Sequence, residues 1–402
     1  KETQVKKMIF GLGPVGLNFP NLTMHSPGKS LHTAKAQTRD QRKESGNNIF
    51  RVRITNSSST QPQIYNREIE NIIIQKDTTL NFVVDVVGPW RKLKSGITAW
   101  LNDIDFPDSK NGWVAGGSGV ILHSYDGGET WLQQTCPVAE PLNAVDFVDK
   151  ETGWICSNSS ILKTTDGGKN WIIKYSEDMI EGRFHDIQFL NNKIGFAVGG
   201  KSFFGLNGVL LKTTDGGETW KSVIPERLPT LSHISIVDEQ NIWICGFGSF
   251  GGTLLFTSDL GLTWTKKSLN APVSWLRAIQ FVDQYNGWVG CDDDDAFNFF
   301  RTTDGGNTWK SESKETWPLG KGTQSFFFVD PLNGWLGTVP GASTFAIINT
   351  TDGGQTWKYL PMGTNIYDVK SICFINKELG WAVGSEVENA KRKSVILLYE
   401  KQ

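Results

Sequence analysis

The octapeptide TTDGGETW at 213–220 decides the fold, because it is one of a series. With small changes it recurs as SYDGGETW (124–131), TTDGGKNW (164–171), TSDLGLTW (257–264), TTDGGNTW (302–309) and TTDGGQTW (350–357). The aspartates Asp126, Asp166, Asp215, Asp259, Asp304 and Asp352 follow one another at intervals of 40, 49, 44, 45 and 48 residues. A period of that size suits one four-stranded blade of a β-propeller. Each copy lies between an apolar run, such as Val120–Leu122 or Val209–Leu211, and a further strand, which places it on a hairpin turn. The residue types fit that place. Asp and the preceding Ser or Thr can bond the turn's own backbone, Gly supplies a positive φ, and the closing Trp can fold beneath the turn.

Two more segments repeat around each box. An inner strand runs from LNDIDFPD (101–108) through six further copies to VKSICFIN (369–376). A second strand runs from NGWVAG (111–116) through six further copies to LGWAVG (379–384). Seven inner and seven second strands thus face six boxes. The last unit stops on the apolar run Val395–Tyr399, and the missing piece stands at the front, where Trp90–Lys94 reads as a box Trp and its following strand. The expectation is an all-β chain, a seven-bladed β-propeller of four-stranded blades, closed by an amino-terminal strand that pairs with the last one. Closure removes the free sheet edges that would otherwise aggregate.

Residues 88–402 are accordingly expected to form the propeller and residues 1–87 a basic lead-in. Residues 1–60 carry ten Lys and Arg against three acids, about +7, which leaves thirty against thirty-nine, about −9, for the remainder. Such a stretch reads as a solvated tail, with docking on an acidic partner or a lipid surface as the alternative. Residues 20–48 read as loop, whereas Phe50–Thr55, Ile69–Gln75 and Leu80–Val87 have strand character. No apolar run reaches the roughly 18–20 residues of a membrane span. The start KETQVKKMIFGLGPVGLNF is a poor signal peptide, and its opening on Lys1 is expected to be a processed or cut terminus. Five cysteines cannot all pair within one chain, and none has metal-ligand spacing.

Several function classes fall away. Catalysis by paired carboxylates needs two of them about 5–10 Å apart, and each box aspartate belongs to a different blade. The propeller's arginines, Arg91, Arg183, Arg227, Arg277, Arg301 and Arg392, are too scattered to build a sialidase triad from spacing. There is no phosphate-cradling loop and no metal-binding pattern, so neither a cofactor nor a metal is expected. The run Asp292–Asp295 lacks the spaced acids of a calcium loop and reads as a solvated acidic loop. An acidic propeller is a poor partner for nucleic acid. What remains is a non-catalytic scaffold that binds a protein partner, with a secreted glycan-binding or glycan-cleaving propeller as the alternative.

The loop face is where the repeat breaks down. Links between second and third strands lengthen from blade three onward, as in GGKSFFGLNG (199–208) and GFGSFGG (246–252). Of sixteen tryptophans, thirteen serve the repeat, leaving Trp100, Trp275 and Trp317 unexplained. Alternation along the inner strands puts Trp100, Arg183 and Trp275 on the same side as His185 and Arg277, near the channel mouth. Aromatic and Arg side chains dominate protein hot spots. Trp100, Arg183, His185, Trp275, Arg277 and Trp317 are therefore the expected partner-binding residues.

The combination of inner strand, GWxxG strand, apolar strand and TxDGGxTW resembles the photosystem II stability/assembly factor-like Asp-box propellers over about residues 88–402. The resemblance implies a seven-bladed ring with amino-terminal closure and a place outside the cytoplasm, whether periplasmic, lumenal or secreted. It implies binding of partner proteins during assembly, in a membrane-associated or cell-surface complex. It also implies an arginine-containing patch near the inner-strand entrance, where Arg183 and Arg277 match in strand position, their registers two residues apart. The same box occurs in bacterial neuraminidase repeats and some glycosidases, so alone it assigns no chemistry.

Overall fold

A computed structural model describes the chain at residues 89–176, 183–200, 206–223, 227–248, 251–271, 273, 275–293, 296–312, 321–339, 347–360, 366–388 and 391–401, together with seven strands before residue 88. Contacts separate two compact units, one of residues 1–89 with 361–363 and one of residues 90–360 with 364–402. The first holds a three-stranded sheet of Ile49–Asn56, Ile64–Arg67 and Leu80–Val87 and two separate two-stranded pairs. One of these, Leu22–Ser26 with Lys29–Ala34, falls in the stretch expected to be loop. In sequence the two strands are joined by Pro27–Gly28, a dipeptide favoured in turns. Within the strand expected at 69–75 the described residues are Ile73–Ile74, which pair with Thr3–Gln4.

The second unit is the propeller: seven four-stranded antiparallel sheets, the first six of them simple meanders. Blade one is Leu101–Asp105, Gly112–Gly116, Ile121–Ser124 and Leu132–Gln134. Blades two to six repeat it with inner strands Leu142–Phe147, Arg183–Phe189, Thr230–Asp238, Leu276–Phe281 and Lys321–Phe328. Blade seven takes Ile366–Asn376, Leu379–Glu388 and Lys391–Glu400 from the end of the chain and its outer strand from Trp90–Leu93. That outer strand pairs Trp90 with Tyr399 and Leu93 with Ile396.

The repeat's aromatic residues explain why the blades stack. The second strands are buried on both faces, and in six of the seven a Trp lies flat on the Phe that ends the next blade's inner strand, blade three having Phe196 in its place. Trp113 on Phe147, Trp154 on Phe189, Trp243 on Phe281, Trp288 on Phe328, Trp335 on Phe374 and Trp381 on Phe106 stack at 3.4–4.5 Å between ring centroids. The last of these joins blade seven to blade one. Each Phe also receives a Trp edge-on from its own blade, five from boxes, and Trp90 does the same for Phe374 at 5.8 Å. The second-strand tryptophans are nearly fully buried, whereas box residues Trp131, Trp220, Trp264 and Trp309 are only partly so. Box residues Trp171 and Trp357 are buried, and Trp357 Nε1–H donates to Gly354 O of its own turn at 3.0 Å, but the deeper anchor is the GWxxG tryptophan, wedged between two sheets.

The boxes are built as the sequence suggests. In the third, Thr213 Oγ1 donates to Asp215 Oδ1 at 2.8 Å and accepts the Gly217 N–H at 2.8 Å, while Asp215 accepts both Thr219 donors. The residue after each box Asp donates its N–H to the turn between the first two strands of the same blade, as Gly216 does to Lys193 O at 2.7 Å. Two turns are thereby tied at one end of every box blade, leaving the other end to the variable loops. Gly306 has a φ of +73°, and a Cβ there would lie 2.2 Å from the Trp243 ring of the previous blade. Both the turn and the neighbour demand glycine.

The Thr219 hydroxyl and amide hold the Asp215 carboxyl down to about 2. A depressed carboxylate stabilises the fold while ionised, fully so above its usual value near 4, and the benefit is lost as pH falls towards 2. Asp215→Asn is expected to flatten the acid limb of a thermal-stability profile between about pH 4 and 2. An unchanged slope would contradict a stabilising role for the ionised box.

Candidate functional site

The inner strands open onto the loop face through the residues at their starts. At the second inward-facing position, side chains divide into two sets. Asn102 Nδ2 donates to Leu142 O at 2.8 Å, Asn143 Nδ2 to Phe184 O at 2.6 Å and Ser232 Oγ to Leu276 O at 2.7 Å, so each clips its blade to the next. His185 and Arg277, at the equivalent positions in blades three and five, turn instead toward an aromatic cluster on blade four.

That cluster is centred on Phe247, the last residue of Asn241–Phe247, the second strand of blade four. Phe247 forms an isolated antiparallel bridge with Trp275, and the two rings stack at 5.0 Å and 19°. The Arg277 guanidinium sits 5.0 Å from the centroid of each ring. Such a cation–π arrangement fixes the guanidinium plane without consuming all of its donors. The His185 ring lies 6.3 Å from Phe247. Burial, then the charges of Arg183 and Arg277, pull its pKa down to about 4, so the ring is neutral in ordinary solution. Arg183 itself is exposed at the head of its strand.

Four of the six expected residues are thus brought together: Arg183, His185, Trp275 and Arg277. Trp100 stands 49% exposed on blade one, its carbonyl accepting the Gly117 N–H at 2.7 Å. Among the described residues no ring or charge contact ties it to the cluster. Trp317, Asp294 and Asp295 fall outside the described residues, and Asp292 and Asp293 continue the strand Gly287–Asp293. Phe247 was missed. The signal was the pair of aromatics in GFGSFGG, where the short links of blades one and two have only small residues. Outward from the cluster, a cleft of about 460 Å³ beside blade four carries Arg227, Lys266 and Lys267 along with Leu206 and Pro229.

Other tempting groups belong to the fold. His123 is buried between Trp113 and Tyr125, with ring centroids 4.0 and 3.8 Å away, and burial lowers its pKa to about 4. None of the five cysteines is in a disulfide, and four of them are buried. Among the described residues no three His, Cys, Asp or Glu side chains are grouped to hold a metal ion, and no helix is long and apolar enough to cross a membrane.

Comparison with known proteins adds a family likeness. The family profile described as photosynthesis system II assembly factor YCF48 matches residues 83–179. The photosystem II assembly lipoprotein Ycf48 of Synechococcus sp. (strain CC9902) is 32% identical over 74 residues, which cover 18% of this chain and 22% of that protein. The chloroplastic photosystem II stability/assembly factor HCF136 of Guillardia theta is 37% identical over 54 residues, 13% of this chain and 14% of that protein. The matched stretches therefore span less than a quarter of either relative. Among solved structures, YCF48 bound to D1 peptide superposes with a TM-score of 0.60 at 21% identity, covering 78% of this chain and 97% of that one. At that identity the superposition speaks for the fold alone. The chain is an Asp-box propeller similar to the photosystem II stability/assembly factors.

Proposed function

We propose that this propeller is a non-catalytic protein-binding scaffold, an assembly factor of the photosystem II kind that grips a polypeptide of a membrane-associated complex at its channel mouth. The observation that carries the reading is the cluster of Arg183, His185, Phe247, Trp275 and Arg277. It joins a flat apolar platform to the Arg277 guanidinium that lies against both rings, which suits a peptide with an acidic or carboxylate group beside an apolar one. A D1 peptide is the ligand named for the YCF48 structure above, and the two sequence relatives are named for the same complex. A site outside the cytoplasm accords with relatives described as a lipoprotein and as chloroplastic. The glycan-cleaving alternative asks for Arg, Tyr and acid side chains converging in a deep pocket, whereas this cluster sets Arg277 against two aromatic rings. Trp100 extends the same rim as a further apolar anchor.

Titration of a D1 peptide against variants tests the proposal. Trp275→Ala and Arg277→Ala should each weaken binding by about 2 kcal/mol, roughly thirtyfold. Arg277→Ala should also flatten the salt dependence, since only the charge is screened. Glu239→Ala, in an exposed turn at the opposite end of blade four, should leave affinity unchanged. Full affinity in both cluster variants would overturn the assignment.

A further inference from the structure

Each inner strand is the channel-side edge of its sheet, so half of its N–H groups find no partner in their own blade. Side chains of the preceding blade take them up. Asp103 Oδ2 accepts the Val145 N–H at 2.7 Å and Asp105 Oδ2 the Phe147 N–H at 2.7 Å, so blade one holds blade two. Asp146 Oδ2 accepts the Phe189 N–H at 2.8 Å, and Asp186 Oδ2 the Ile234 N–H at 2.9 Å. Farther round, neutral groups do the same. Ser235 Oγ accepts the Phe281 N–H and Gln280 Oε1 the Phe328 N–H, both at 2.8 Å. The neutral versions meet the same geometric need, so the carboxylates of blades one to three bring something the bonds alone do not require.

That something is charge in a confined space. The groups facing these acids are mostly neutral or acidic themselves. Ser371 of blade seven donates to Asp103 Oδ1 at 2.6 Å, and Cys373 Sγ lies 4.0 Å from Asp105. Cys156 and Cys245 are held as thiols by burial. His233 Nδ1 is 3.5 Å from Asp186, Lys370 pairs with Asp368 at 3.5 Å, and Arg183 and His185 sit toward the mouth. Burial raises Asp103 to about 6 and Asp105 to about 7. Burial, then the nearby Asp105 charge, lifts Asp146 well above the usual range.

We propose that Asp103, Asp105 and Asp146 form a proton-dependent clasp across blades one to three, tightened by mild acidity and loosened as neutral or alkaline solution charges the channel. Linkage gives the sign. An unfolded carboxyl ionises near 3.8, whereas Asp103 and Asp105 in the fold keep their protons to about 6 and 7. Between those values the folded state holds more protons, so this contribution to stability falls as pH rises. His123 and His185 act oppositely. They are neutral in the fold down to about 4 but charged when unfolded below about 6.5, so their contribution falls as pH drops through that window. A global pH profile therefore blends the two, and the clasp must be read locally.

Two measurements do so. Asp146→Asn keeps an acceptor for the Phe189 N–H and removes the charge. It should raise the melting temperature at about pH 7.5 and leave it nearly unchanged at about pH 5. In the unaltered chain, the Phe147 and Phe189 amides should exchange roughly tenfold more slowly at about pH 5 than at about pH 7.5, after correction for intrinsic rates. The second measurement needs no substitution and stands even if the variant folds poorly. Equal destabilisation of Asp146→Asn at both pH values, or equal amide protection at both, would overturn the proposal. Neither readout involves the channel-mouth ligand.

Discussion

Trp381→Ala is expected to lower the free energy of unfolding by about 3–5 kcal/mol, the scale of a large aromatic removed from a packed core. The indole is fully buried and stacks on Phe106 at 3.6 Å and 3°. Its Nε1–H donates to Gly127 O at 2.8 Å, so one side chain of blade seven grips both the inner strand and the box of blade one. Trp381→Phe separates these roles. It keeps a ring against Phe106 and should cost about 1 kcal/mol for the lost hydrogen bond, beyond any cavity. Chemical denaturation of the two variants beside the parent decides the matter. An alanine variant within about 1 kcal/mol of the parent would mean that the junction is held by other contacts.

Loss of the strand Trp90–Leu93 should be at least as severe. A chain beginning at Ser95 would lack Trp90 and Leu93, both buried, and the four-residue ladder onto Lys391–Glu400. The edge-on contacts of Trp90 with Phe374 and Tyr399, at 5.8 and 5.2 Å, would vanish. Glu386, only 8% exposed, would lose its ion pair with Lys92. A buried Trp and a buried Leu together account for roughly 5 kcal/mol or more, comparable to the whole net stability of many domains. The shortened chain is expected to be insoluble or to melt far below one that begins at Pro89 and keeps the strand. Coincident melting of the two would show that the ring does not depend on this strand.

The architecture could be read from sequence because blade geometry imposes residue identity at fixed places. A turn with two positive-φ positions favours glycines, which fill both in five boxes while Leu260 fills one in the fourth, and its carboxylate bonds are local, so the box is visible in one chain. What bridges blades was far less visible. Nothing in one strand's own sequence says that Asp105 and Asp146 bond the amides of the next inner strand. The depth of the GWxxG tryptophans was equally hidden, because burial depends on which face a neighbouring sheet covers. At the channel mouth, period two placed Arg183, His185, Trp275 and Arg277 on one side. Phe247 stayed hidden because it follows its strand's repeat, where sequence offers no register to compare.

The order in which the blades are made bears on how the ring is completed. A growing chain finds most neighbours at once: Trp113 meets Phe147 as soon as the second blade follows the first, and so on along the chain. Phe106 must wait, since its partner Trp381 is made near the end, and the bond from Trp381 to Gly127 spans 254 residues. Through nearly all of synthesis, blade one keeps an aromatic surface without its cover. Long-range contacts of this kind form slowly, because a large loop must close before they repay the lost entropy. The final meeting of first and last blades is therefore expected to be the slow step of maturation, and the flank around Phe106 the surface that folding helpers shield until then.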